Sequence, residues 1–288
     1  MKAGFWTAPD GADEPMTIMP LDLDTAATGR GRTASGAVSF LATASGEALA
    51  RRCARAALLL PDIAQALDAQ TADAPGHLFD LTDFEAEDRE LIDQIVGEGE
   101  VSGLVTLPDG VIAHIQEATM AGLWRVRFTN ADGALAADYI ETASIPEIVK
   151  RGAIVNAREV DIGAPPAGAM NVMPVLAEIA ERARAHQPGA PSHIINFSLL
   201  PMSPGDMDCL QQRLGAGPVR LVSRGYGTCR VLATAIRNVW SVQFLNAMDT
   251  IILDTLEIGG PPIAVCAADE DFRDSAGRLR EIHEAYFT

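Results

Sequence analysis

Residues 123–131 read LWRVRFTNA, and residues 239–247 read VWSVQFLNA. Two stretches that keep a Trp, a Val, a Phe and an Asn-Ala pair in one order mark an internal repeat, because self-similarity at a fixed period is the signature of a duplicated unit. Working outward at the same offset of 116, Asp138 falls on Asp254, Glu141 on Glu257, Pro146 on Pro262 and Val149 on Val265. Upstream the offset becomes 118, so that residues 81–105 lie over 199–223. Leu81 then meets Leu199, Asp88 meets Asp206, Gly97 and Gly99 meet Gly215 and Gly217, and Val101 meets Val219. The change of offset implies two extra residues in the first copy beyond that point.

Each copy predicts the same elements. A short strand (His77 to Leu81; Ile194 to Leu199) leads to a helix over about 85–96 and 203–214, the second opened by Ser203 as cap and Pro204 in the first turn. The Gly-x-Gly pairs stop these helices, since glycine takes the left-handed conformation without a steric penalty. Strands rich in Val, Ile, Trp and Phe follow at about 101–107, 111–118, 123–129 and 135–141, and at about 218–223, 229–236, 239–245 and 250–257. Asp109-Gly110 and Asn130-Ala131-Asp132-Gly133 read as hairpin turns. A helix is expected to close each copy, at roughly 171–185 and 269–286. Strands clustered in this way do not alternate with helices as a Rossmann fold requires. The fold class is therefore α+β: a tandem duplication of a module with a mostly antiparallel sheet and flanking helices.

Outside the repeat, residues 1–44 form a Pro-, Gly-, Thr- and Asp-rich mixture ending in GRGRTASG, which predicts an extended N-terminal arm. A helix is expected from Ser45 on the spacing of Leu49, Cys53, Ala57 and Leu60, kinked or ended at Pro61. The organisation is thus an arm at 1–44, a first module at 45–186 with its N-terminal helix, and a second module at 187–288.

The chain of 288 residues has 39 acidic against 22 basic side chains and a formal net charge of −17. Lysine occurs only at Lys2 and Lys150. Nucleic-acid binding calls for clustered cations that displace counterions from phosphate, so no nucleic-acid partner is expected. The longest apolar runs fall far short of the roughly 18 residues of a membrane span. No basic-then-apolar leader opens the chain. A cytoplasmic protein without membrane insertion is the expectation, and its four cysteines, with no C-x-x-C pair, read as reduced thiols.

Chemistry-bearing patterns are sparse. GEGEVSG at 97–103 follows a helix and precedes a strand, the reverse of a dinucleotide fingerprint, and GAGPVR in the second copy places Pro218 where a donor would be needed. The five histidines are isolated, so no metal site, no cofactor and no catalytic set are expected. Cys229, between Arg224 and Arg230 in SRGYGTCR, is the best reactive candidate, because guanidinium groups lower a thiol pKa; the plainer reading is a small strand residue. Trp124 and Trp240 repeat with the scaffold and read as core. The densest unusual stretch is 223–257, where the second copy carries Arg, Tyr and Asn at positions blander in the first. Arg224, Tyr226, Arg230, Arg237 and Asn238 are accordingly the candidate partner contacts, by the residue types favoured in binding hot spots.

The stretch from Ile195 to Ile258, beginning INFSLLPMSPGDMDCLQQRLGAGPVRLVSRGYGTCR, resembles the C-terminal region of the HupH/HyaF/HoxQ family of hydrogenase expression proteins. QIVGEGEVSGLV, IQEATMAGLWRVRF and the early PMTIMPL are similar to that family's N-terminal half. The resemblance implies a non-enzymatic accessory protein in maturation of uptake [NiFe] hydrogenases. It would act as a chaperone that binds the iron–sulfur small-subunit precursor before twin-arginine export, with other maturation proteins as further partners. A metal-handling or thiol-active factor using Cys229, and a structural member of a larger maturation complex, are the alternatives. Monomer and dimer both remain compatible with an internal duplication.

Overall fold

The computed structural model describes residues 46–287 apart from Pro166 and Tyr226; the expected arm at 1–44 and the Ser45 cap lie outside the described residues. In chain order the elements begin with α1 (Gly46–Arg52), α2 (Ala54–Ala69), β1 (His77–Asp80), α3 (Ala86–Val96), β2 (Val101–Thr106), β3 (Ile112–Glu117), β4 (Leu123–Thr129), β5 (Leu135–Thr142) and α4 (Glu147–Ile154). They continue with α5 (Val172–Ala185), β6 (His193–Asn196), α6 (Pro204–Leu214), β7 (Ala216–Ser223), β8 (Thr228–Thr234), β9 (Val239–Leu245), β10 (Ile251–Ile258), a 3-10 turn at Ile263–Val265, and α7 (Asp269–Phe287). The fold is α+β, and every strand pair described below is antiparallel.

Two compact units draw on interleaved segments. Unit I takes the described residues of Thr17–Gly99, Asp109–Pro146 and Ala267–Thr288, and unit II takes Glu100–Pro108 and Glu147–Cys266. Unit I has strand order β1-β5-β4-β3, and its core joins Leu60, Ile63 and Leu67 of α2 to Leu91 and Ile95 of α3, Leu123 and Ile140 of the sheet, and Phe272 and Leu279 of α7. Unit II has order β2-β7-β8-β9-β10-β6, and one core cluster joins Val175, Leu176 and Ile179 of α5 to Leu210 and Leu214 of α6 and to Val239, Leu256 and Ile258. The modules expected at 45–186 and 187–288 follow the chain, whereas the described part of the chain passes between these units four times. β2 lies in the unit of the second repeat and α7 in the unit of the first.

The duplication is visible in matched hydrogen bonds. The Trp124 Nε1–H donates to Ala143 O at 2.8 Å, and the Trp240 Nε1–H donates to Gly259 O at 3.3 Å. Both indoles are buried, as expected of core residues. The helix stops also match: Gly97 (φ 61°) and Gly215 (φ 64°) donate to the carbonyls of Asp93 and Gln211.

Three expectations are corrected, and one helix is added. Pro61 neither ends nor breaks its helix; it lies inside α2, and the break falls at Cys53, whose φ of −118° and ψ of 56° are not helical. The helix at 172–185 does not close the first copy, because it packs on α6 and β10 of unit II. Residues 147–154, left unassigned by periodicity, form α4, whose Gly152 rests where a Cβ would meet the Val105 side chain. The counterpart of Leu81 is Phe197 rather than Leu199. His77 pairs with Thr142 and His193 with Ile258, so both partners are 116 apart. In the same register Leu81 N–H donates to Asp138 O and Phe197 N–H to Asp254 O. The second copy therefore carries two extra residues between β6 and α6, in the loop 197–203.

A carboxylate at one repeat position ties the helices together in each unit. Asp88 of α3 is buried and accepts from Ala56 N–H at the start of α2 (2.8 Å). Asp206 of α6 is fully buried; its Oδ1 accepts from the N–H groups of Met170, Asn171 and Val172 at the start of α5, and its Oδ2 from the N–H and hydroxyl of Ser203. The Ser203–Asp206 pair is a reciprocal capping box. Burial by itself would raise the Asp206 carboxyl, but the donors from Ser203, Met170 and Asn171 outweigh it and hold the group well below the usual carboxylate range. A depressed folded-state pKa contributes stability that is fully present above the unfolded value of about 3.9 and is lost as pH falls below it. Asp206→Ala is expected to cost about 2–4 kcal/mol at pH 7 by leaving buried donors unpaired. In urea unfolding the gap between native and variant should narrow as pH is taken below about 4.

Candidate functional site

At one end of the unit II sheet three connections come together. β8 pairs with β9 from Thr228 opposite Leu245, so the β7–β8 turn and the β9–β10 turn lie at the same end. Phe197 N–H bonds to Asp254 O near the start of β10, which brings the loop 197–203 to this end as well. Arg224 is exposed in the β7–β8 turn, with its N–H donating to Glu100 O (3.0 Å). Arg230 is exposed on β8, directly opposite Val222 and Gln243. Tyr226, the third expected contact of this turn, lies outside the described residues.

Arg237 and Asn238 are elsewhere. They form the β8–β9 turn, and β8 between the two turns spans about 20 Å at the usual strand rise. Asn238 takes the left-handed conformation (φ 60°) that Asn tolerates in turns, and its carbonyl accepts from Gly259 N–H. Its role is to close the hairpin. The four described contacts therefore do not form one surface.

What the expected set missed is apolar. Leu199 is 80% exposed, Leu200 37% and Met248 84%, all in connections at the Arg224 end, and Ile252, 63% exposed, lies at the bulge that opens β10. Their backbone is held. Asn246 Oδ1 accepts from the N–H groups of Met248 and Thr250, and Asn246 N–H donates to Thr250 O. Asn196 Oδ1 accepts from Ser198 N–H, and the Ser203 capping box anchors the far side of the loop. The first copy shows what these turns look like without the apolar groups. Its matching hairpin has the same hydrogen bonds, Asn130 N–H to Ala134 O and Gly133 N–H to Asn130 O, but carries Asp132 where Met248 stands. Its loop reads Thr82-Asp83-Phe84 where the second reads Ser198-Leu199-Leu200-Pro201-Met202. A position-by-position comparison of the two copies at their turns is the sequence signal that finds this surface.

The charges diverge too. In unit I the buried Arg125 guanidinium pairs with Asp138 (2.7 Å) and Asp93 (3.4 Å), and Arg127 joins the same two carboxylates. Burial pushes the Arg125 pKa down, while Asp93 and Asp138 oppose the shift. In unit II the corresponding positions hold neutral Ser241, Gln243 and Gln211; Gln243 Nε2 donates to Asp254 Oδ2, and the cation of that row is the exposed Arg230. Asp138→Ala should cost about 3–5 kcal/mol in denaturant unfolding, because it removes the nearer and more buried of the two carboxylates that hold the Arg125 charge.

Cys229 is corrected as a reactive thiol. Successive strand residues point to opposite faces, so Arg230 does not face it. The thiol is buried, and burial followed by the nearby Glu257 carboxylate pushes it up to about 12. A disulfide reagent at pH 8 should leave Cys229 unmodified in the folded chain and label it after denaturation, read by mass spectrometry of the peptide. Among the described residues no group of three or more His, Cys, Asp or Glu is arranged to hold a metal, and no helix is long and apolar enough to cross a membrane.

The chain matches the family described as HupH hydrogenase expression protein, C-terminal conserved region, over residues 53–155 and again over 169–286. The second match begins before α5, which agrees with α5 opening the second copy as α2 opens the first. The hydrogenase expression/formation protein HupH of Rhizobium leguminosarum bv. viciae is 58% identical over 287 residues, covering 100% of both chains. The hydrogenase expression/formation protein HoxQ of Cupriavidus necator is 42% identical over 78% of this chain and 79% of its own. The hydrogenase-1 operon protein HyaF of Escherichia coli is 36% identical over 70% of this chain and 71% of its own. A solved structure of the hydrogenase expression protein HupH from Thiobacillus denitrificans is 28% identical and covers 40% of this chain and 94% of that one, with a TM-score of 0.34. The chain belongs to the HupH hydrogenase expression protein family.

Proposed function

We propose that this member of the HupH family is a cytoplasmic, non-enzymatic chaperone that holds the immature iron–sulfur small subunit of a [NiFe] hydrogenase before its twin-arginine export. The relatives are named for hydrogenase expression and formation, which supports a role in hydrogenase maturation. The observation that carries the chaperone reading is the surface at the Arg224 end of unit II. Leu199, Leu200 and Met248 stand out on hydrogen-bonded turns, and Ile252 at the start of β10, at the sheet end that also carries Arg224, where the other copy has Asp83 and Asp132. Exposed apolar groups on an ordered scaffold suit an unfinished subunit whose own apolar surface is still uncovered, and methionine adapts to irregular apolar partners. The net charge of −17 adds a long-range attraction for the basic start of a twin-arginine signal.

Calorimetric titration with the small-subunit precursor, with and without its signal peptide, tests this reading. Saturable binding is expected. The double substitution Leu199→Glu/Met248→Glu should weaken it tenfold or more, about 1.4 kcal/mol, while the melting temperature stays near that of the native chain. Arg224→Ala/Arg230→Ala should act in the same direction. Loss of affinity on removing the signal peptide, together with weakening by salt, would assign part of the contact to the export signal. Absence of binding to either precursor form overturns the small-subunit assignment.

A further inference from the structure

The other end of β8 borders a cleft of about 410 Å3 that lies entirely within unit II. Its walls are the end of β2 with Thr106 and Pro108, the start of β7 with Pro218 and Arg220, and the segment after α4 with Val155 and Asn156. The chain builds it from three irregularities. The β7–β8 register breaks between Ala216 and Arg220, so residues 217–219 oppose Ala233 alone. Gly217 sits in that bulge, where a Cβ would meet the carbonyls of Ala233 and Thr234. Pro218 cannot donate to a ladder, and proline in an inner strand is found at such a bulge. On the α4 side Asn156 takes a positive φ (58°) and turns the chain away from the helix, leaving Val155 exposed beside the opening.

The charge of this region is opposite to that of the chain. Arg220 is the only ionisable side chain in the cleft lining, it is exposed, and among the described residues no carboxylate pairs with it. Beyond the rim, Arg237 N–H donates to Arg158 O, so these two exposed arginines are backbone neighbours, with the Arg158 guanidinium donating to Arg213 O at 2.7 Å. The acids nearest in sequence are already engaged, Asp161 with Arg213 (2.9 Å) and Glu159 with Arg184 (3.6 Å). A chain with 17 more acidic than basic groups thus has a local cationic cleft with an apolar side. We infer that this cleft is a second binding site, and that its occupant is an acidic peptide segment carrying an apolar side chain. The apolar group goes against Val155 and Pro218, and a carboxylate goes to Arg220. The volume falls in the roughly 300–1,000 Å3 range of ligand pockets, and guanidinium is the side chain best shaped for a carboxylate.

The test uses the full chain and a fluorescein-labelled decapeptide of Asp and Glu with one central Leu, followed by anisotropy. A Lys-containing peptide of the same pattern and a Ser-containing one serve as references. The acidic peptide should bind saturably and more weakly as salt rises, and the basic one should not bind. Arg220→Glu should weaken the acidic peptide tenfold or more, Arg220→Lys by less, and Leu199→Ala/Met248→Ala hardly at all. That last variant separates this site from the surface proposed for the immature subunit, since each can fail without the other. The inference is overturned if the acidic peptide does not saturate, or if Arg220→Glu binds it as tightly as the native chain while melting at the same temperature. It is also overturned if inorganic phosphate at equimolar concentration displaces the peptide, which would make the site one for a small anion only.

Discussion

A buried carboxylate with no cation paired to it among the described residues organises unit II. Asp206 leaves water completely, and what replaces its hydration is a ring of donors from two helix starts: the N–H groups ahead of α5 and the capping box of α6. The free N–H groups at a helix N-terminus carry partial positive charge, so one side chain satisfies two helix ends at once and fixes the angle between them. With α5 and α6 locked, Leu176 and Leu210 meet Leu256 and Ile258 in one core. The loop 197–203 is then pinned at both ends, by β6 on one side and by Ser203 on the other. Leu199 is exposed on that loop, with its N–H donating to Asn196 O. Asp88 repeats the device at the start of α2 with a single bond to Ala56, and in that unit the loop before the helix is two residues shorter.

The period of the repeat was legible because its strongest markers are large and buried. Trp124 and Trp240 donate to equivalent carbonyls, so a substitution at either would disturb the core in the same way, and the surrounding alternation of apolar and polar residues gave the β4 and β9 strand ends to the residue. Register was legible only where such markers exist. β1 and β6 are four-residue edge strands whose side chains do not mark their alignment, and the offset of 118 that suits α3 and α6 slid Leu81 onto Leu199, two residues away from Phe197. Only the hydrogen bonds to Asp138 and Asp254 decide that alignment. Pro61 misled for a different reason. Removing one backbone donor weakens a helix, but α2 is held by Ala56, Leu60, Ile63 and Leu67 in the core, and packing outweighs propensity there.

The candidate site was half legible. Arg224 and Arg230 are exposed, but proximity in sequence said nothing about which end of a hairpin each residue reaches. Arg237 is seven residues from Arg230 and falls at the opposite end of β8. The apolar half was overlooked because single exposed leucines are unremarkable in any one sequence. They become informative only against the other copy, which shares the turn, its hydrogen bonds and its positive-φ position, with Gly133 where the second copy strains to use Asp249. A duplication supplies its own control. Differences that leave the backbone of a turn unchanged, such as Asp132 against Met248, are not explained by folding.

That reasoning extends to the charges. In unit I the arginines of β4 are spent inside the protein, held between Asp93 and Asp138 at the cost of desolvation. In unit II the same strand is neutral, and exposed cations line β8, with Arg224 at one end, Arg237 at the other, and Arg230 and Arg220 diagonal to each other across the β7–β8 ladder between them. The whole chain nevertheless carries −17, so its far field and its near field differ in sign. At separations beyond a Debye length of about 8–10 Å a partner responds to what remains of the total charge, and within it to the local groups. A cationic segment is drawn toward the chain as a whole, whereas an acidic or apolar segment is favoured once in contact with unit II. A partner that satisfies both conditions carries its basic and its acidic or apolar parts in separate stretches, which is a stricter requirement than net charge alone would impose.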